Sequence, residues 1–245
     1  MIPQSFFAIA LAAAFAVAGC GERLTSDGAP RVTSLAATEP VVTPAEPRFI
    51  VVGVDRTESW ERMTRPALAL AEQTLRVSRP RDELLFRWIS DRSYRSDEAF
   101  AHIKLPAIST GTGNPFDRRE KQALDLANNR FRAEAKKGID TIRAQHPEGP
   151  TTSTDIPGFL AAAAEQFSAT PAGYRKVLVI ISDMEDNRNY KVRPDLSSVE
   201  VQIYLMVISE HPDPAQGERL KTQWTAFLKK CGAASVTFMS ASSVR

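Results

Sequence analysis

Two carboxylates stand at the ends of two of the most apolar strand-like segments of this chain. Phe49-Ile50-Val51-Val52-Gly53-Val54 runs into Asp55, and Val177-Leu178-Val179-Ile180-Ile181 runs through Ser182 into Asp183. Hydroxyls follow the first at alternate positions, in Asp55-Arg56-Thr57-Glu58-Ser59. Carboxylate and hydroxyl oxygens are hard donors, the kind that suits a small hard cation. Magnesium, for example, takes a near-octahedral oxygen shell at about 2.1 Å and keeps several waters. Glu58, Glu185 and Asp186 flank these residues and read first as solvated loop charges, with strengthening of cation binding as the alternative. The competing structural reading makes Asp55 and Ser59 helix N-caps and Asp183 a turn residue.

Other chemistries find less support. The three histidines (His102, His146, His211) are far apart in sequence, which argues against a histidine-built zinc site. Two cysteines in 245 residues exclude a disulfide scaffold. Lys+Arg at 31 against Asp+Glu at 29 leaves no overall field for a nucleic-acid partner. There is no Gly-x-Ser-x-Gly elbow and no Walker-type glycine loop. A haloacid-dehalogenase-like phosphotransferase needs a second Asp two positions after the first, and Thr57 stands there, removing the usual general acid. The arginines from Arg76 to Arg95 read as a solvated face, and Trp60, Trp88 and Trp224 as core. Cys231, near a helix end, reads as a buried small hydrophobe.

The elements that must position the two carboxylates follow from periodicity. Trp60, Met63, Ala67, Ala71 and Leu75 recur at helical spacing. A mid-helix proline costs about 3 kcal/mol, so this helix is expected to begin near Thr64, with Pro66 in its first turn. Leu84–Ser90 reads as a second strand, and Ala101–Leu105 as a weaker one at a sheet edge. A long helix is expected over about 117–145, with Leu124, Ala127, Phe131, Ala135, Ile139 and Ile142 as its apolar stripe. A shorter helix follows Asp155, with Pro157 early and Phe159, Leu160, Ala163, Ala164 and Phe167 inward. Strands at Val177–Ile181, Val199–Ile208 and Ser235–Met239, and a helix at Gln216–Lys230, complete the series. This alternation predicts an α/β, Rossmann-like fold: a mostly parallel central sheet flanked by helices on both faces. Ligands bind at the carboxyl ends of strands in such sheets, and Asp55 and Asp183 stand there.

Together these motifs resemble a von Willebrand factor type A domain with a metal-ion-dependent adhesion site. The family's Asp-x-Ser-x-Ser motif is matched by Asp55-x-Thr57-x-Ser59, where threonine keeps the hydroxyl. Its separate threonine, just before a helix, is best matched by Thr154 in Thr154-Asp155-Ile156, with Thr151, Thr152 and Ser153 offering the same chemistry nearby. Its last aspartate, at the end of the fourth strand, is matched by Asp183; glycine usually follows it, and Met184 stands here. The resemblance covers about Arg48 to Ser240. It implies that Asp55, Thr57, Ser59, Thr154 and Asp183 bind Mg2+ (or Mn2+ or Ca2+), with one coordination place open for an acidic residue of a protein partner. Such a module binds without catalysing. The alternatives are a metal-dependent, phosphatase-like hydrolase using Asp55 as nucleophile or ligand, and a metal-free scaffold on the same fold.

The N-terminus reads as an address. The apolar run Phe6–Ala18 is shorter than the roughly 20 residues needed to span a bilayer and has the length of a signal-peptide core. Val17-Ala18-Gly19-Cys20 resembles the lipobox of bacterial lipoproteins, which implies removal of residues 1–19, diacylation of Cys20 and attachment to a membrane of the cell envelope, facing the periplasm or exterior. The n-region, MIPQS, departs from that pattern in having no Lys or Arg. Residues 20–47, rich in Ser, Thr, Ala and Pro, have too little apolar content to offset their ordering entropy and read as a disordered tether to a domain over 48–245.

Overall fold

The computed structural model describes residues 45–56, 60–108, 118–145, 153–185, 193–206 and 214–239, without the side chains of 60–64 and 214. They belong to one compact unit, Pro44–Arg245. The first apolar run forms β1 (Arg48–Asp55), its side chains alternating between two buried faces. Then come α1 (Trp60–Arg76), β2 (Glu83–Ile89), a single 3-10 turn (Ser96–Glu98), β3 (Ala99–Lys104) and α2 (Arg118–Arg143). The second half adds α3 (Ile156–Ala169), β4 (Arg175–Ser182), β5 (Val199–Leu205), α4 (Pro214–Lys230) and β6 (Ser235–Met239).

The six strands form one sheet in the order β3-β2-β1-β4-β5-β6. All neighbours are parallel except β2 and β3, so β3 is an antiparallel edge strand. One face of β1 and β4 (Val52, Val54, Val179, Ile181) packs with Ala67, Ala71 and Leu75 of α1 and Ile142 of α2. The other (Phe49, Val51, Leu178, Ile180) packs with Phe159, Leu160 and Phe167 of α3 and Trp224 and Leu228 of α4. The expected class, α/β with a mostly parallel sheet and helices on both faces, is the one observed. Among the described residues no helix is long and apolar enough to cross a membrane.

Gly53 shows why β1 has no side chain at one core-facing position. A Cβ there would run into the ring of Phe159, a fully buried side chain of α3. Glycine lets that helix lie close against the strand that ends at Asp55.

Three expectations need correction. Helix α1 begins at Trp60, not near Thr64, and carries Pro66 in its interior. Pro66 is exposed, where water can meet the carbonyl that the proline leaves without an amide partner. In α2 the apolar stripe is not buried along its length. Gly138 and Ile142 are buried, whereas Leu124, two turns from the N-terminal end, is exposed because that half of the helix has little of the described structure over it. Arg87, inside the segment read as a solvated face, is buried in β2, where its guanidinium donates to the carbonyls of Ser93 (3.1 Å) and Arg95 (2.5 Å). Burial lowers its pKa, against the opposing fields of Glu98, Asp97 and Glu165.

Candidate metal centre

The chain runs outward from β1 to β2 and β3, then returns to the other side of β1 as β4. Strand order therefore reverses between β1 and β4, the position at which open α/β sheets place ligands. Asp55 is the last residue of β1 and Ser182 the last of β4. Both are buried, at 3 % and 0 % exposure. The Ser182 hydroxyl donates to Asp55 Oδ2 at 2.6 Å and its oxygen accepts the Met184 amide at 2.9 Å. A charge-assisted hydroxyl bond of this kind is short and fixes the carboxylate's direction.

Asp183, one residue on, is half-buried. Its Oδ1 accepts the Glu185 amide at 2.9 Å. Burial is the largest influence on its carboxyl and raises the pKa, and the neighbouring Glu185 charge adds to this, while hydrogen bonds from the Glu185 amide and Ser182 oppose it. Glu185 is exposed and accepts from the Gln216 side chain at 2.7 Å. Met184 holds φ at 62° in the left-handed region, the conformation that a glycine at this place would adopt freely. Such a backbone costs a non-glycine residue roughly 1–2 kcal/mol. Full burial of the side chain and the 2.8 Å bond from the Trp224 indole to the Met184 carbonyl hold it there. The departure from the family pattern at Met184 thus leaves the glycine-like turn intact.

The third segment enters from α3. The Asp155 carboxylate caps that helix by accepting the Gly158 amide at 2.8 Å, with Pro157 in the first turn. The Asp155 amide donates to the Ser90 carbonyl at 2.9 Å, tying the start of α3 to the end of β2. Thr154, just before it, is buried. Asp55 lies opposite Ile89 in the β1–β2 register, so all three segments meet at one edge of the sheet.

Of the five expected ligands, Asp55, Thr154 and Asp183 are thus brought to the carboxyl edge of the sheet. Thr57 and Ser59 lie outside the described residues, as do Glu58, Asp186 and Cys20. Trp88 and Trp224 are core, as expected, and the side chain of Trp60 lies outside the described set. Cys231 is buried, and burial pushes its thiol pKa up.

Sequence reasoning passed over the polar corner beside this site. Ser90 donates its hydroxyl to Glu98 Oε1 at 2.8 Å and its amide to the Ser93 hydroxyl at 2.8 Å. Arg56, whose amide donates to the Ile89 carbonyl at 3.1 Å, has its guanidinium 3.7 Å from Glu98 Oε1. The available signal was a serine directly after a largely apolar, buried strand, where a polar side chain has to find a partner.

Among the described residues no group of three or more His, Cys, Asp or Glu converges to hold a metal ion. The donors at the sheet edge are instead two carboxylates with buried hydroxyls. Oxygen donors of that kind are the chemistry a hard cation takes partly through water, and Asp55, Asp183 and Thr154 are the described residues that would hold one.

Neither a family model nor a curated protein matches the chain. Solved structures similar in overall form include a von Willebrand factor type A protein from Catenulispora acidiphila, at 12 % identity and TM-score 0.47 over 82 % of this chain. This chain spans 40 % of that protein's length. Manganese-loaded TRAP protein of Plasmodium vivax is similar at 14 % identity and TM-score 0.41, over 81 % of this chain and 70 % of that one. BatB from Bacteroides thetaiotaomicron is similar at 9 % identity and TM-score 0.37, over 79 % and 90 %. These are likenesses of form at low identity.

Proposed function

We propose that this protein is a lipid-anchored binding module of the bacterial cell envelope that recognises a protein partner through a bound divalent cation. The observation that carries the reading is the meeting of Asp55 and Ser182 at the reversal point of the sheet, with Asp183 beside them. A carboxylate fixed by a neighbouring hydroxyl and a second one raised in pKa by burial both gain from a cation at that edge. Asp55, Asp183 and Thr154, with Thr57 and Ser59 of the Asp55-x-Thr57-x-Ser59 motif, would hold Mg2+, Mn2+ or Ca2+. When bound, the ion supplies a Lewis-acidic place for an acidic side chain of the partner. No catalytic step is assigned to these residues.

Anchoring enters through Cys20, with residues 1–19 removed and 20–47 as tether. A flexible linker of that many residues would have an end-to-end distance of about 30 Å. The test is to isolate the tagged protein with its partners from its own cells in magnesium and again in EDTA. Partners retained in magnesium and released by EDTA, and absent from an Asp55→Ala protein, are the expected result. Partners retained equally in all three preparations would refute metal-dependent recognition.

A further inference from the structure

Arg56 poses an electrostatic problem for any cation held by its neighbours. It stands directly between two expected ligands, Asp55 and Thr57, and its positive charge opposes a divalent ion there. The structure turns its guanidinium toward Glu98, 3.7 Å away, with both side chains largely buried. Glu98 closes the 3-10 turn before β3, and the same oxygen also accepts the Ser90 hydroxyl at 2.8 Å. Among the described residues the buried Arg56 Nε meets no hydrogen-bond acceptor, and it is Nη2 of the guanidinium that approaches the Glu98 carboxylate. Arg87, buried in β2, lies in the field of the same carboxylate. Glu98 therefore sits where it neutralises Arg56, the residue directly after Asp55.

We propose that Glu98 is a positioning residue for the metal centre: it is the counter-charge that holds Arg56 aside and cancels its field at the cation site. This inference rests on the reading of Asp55 and Asp183 as metal ligands. It gives the two residues opposite roles. Loss of the Glu98 charge leaves Arg56 to repel the cation, whereas loss of the Arg56 charge removes the need for Glu98.

The test is calorimetric titration of Mn2+ into the purified full chain at low ionic strength, in wild type, Glu98→Gln, Arg56→Gln, the double variant and Glu98→Asp, each checked for native circular dichroism. Glu98→Gln should bind about tenfold more weakly than wild type. Arg56→Gln should bind at least as tightly as wild type. The double variant should recover to within about twofold of Arg56→Gln, and Glu98→Asp should recover in part. A double variant as weak as Glu98→Gln would show a merely structural role and overturn the inference, as would unchanged binding in Glu98→Gln. If Glu98→Gln fails to fold, weaker binding by Arg56→Gln than by wild type overturns it alone. Absence of binding in wild type and Arg56→Gln alike would instead remove the metal reading itself.

Discussion

The Ser182 hydroxyl donates a 2.6 Å hydrogen bond to the Asp55 carboxylate, joining the ends of two adjacent strands from residues 127 positions apart. The same oxygen accepts the Met184 amide and so shapes the turn that carries Asp183. One side chain thus sets both candidate carboxylate ligands, and the indole of Trp224 secures the turn from α4.

Replacing Ser182 by Ala is expected to lower stability by about 1–3 kcal/mol, because the buried Asp55 oxygen and the Met184 amide both lose a partner. Urea unfolding of the metal-free protein measures it. A change below about 0.5 kcal/mol would mean that the bond contributes nothing to holding the strand ends.

Gly53→Ala is expected to destabilise by about 1–3 kcal/mol, since the added methyl enters the space of the Phe159 ring. Combining it with Phe159→Leu should cost less than the sum of the two single changes, because the smaller side chain makes room. Strict additivity in thermal melts would show that the strand and helix do not meet as described.

Asp183→Asn should stabilise the metal-free protein at neutral pH. Burial raises the folded-state pKa of this carboxyl above its unfolded value. Its contribution is then fully present below the unfolded pKa and is lost as pH rises through the folded one. The wild type, in EDTA, should therefore gain stability relative to Asp183→Asn as pH falls through that interval. The asparagine protein should melt higher at pH 7, and a lower melting temperature there would contradict the burial argument.

Lipidation is tested by growing cells with a radioactive fatty acid. The wild-type chain should take up label and Cys20→Ser should not. Equal labelling, or none in either, would remove the anchor from the account.

The frame of the site was legible because its signals are local. The apolar runs ending at Asp55 and Ser182 give β1 and β4, and Asp155 with Pro157 marks the start of α3. What escaped depends on partners distant in sequence. Pro66 inside α1 and the exposure of Leu124 depend on what packs over each helix. Arg87 looks like one arginine among many until β2 buries it and loop carbonyls receive its protons. Glu98 is an ordinary loop acid in sequence, and only the approach of β1 to β2 brings Arg56 to it. Met184 departs from a glycine pattern, yet the turn survives because a buried side chain and an indole hold it.

The most direct test of the central claim is a calorimetric titration of Mg2+ and Mn2+ into the purified wild-type chain beside Asp55→Ala. The account predicts one-to-one binding by wild type and a loss of at least about tenfold in Asp55→Ala, with native circular dichroism in both. Equal affinity in the two proteins, or no binding by wild type, would contradict it.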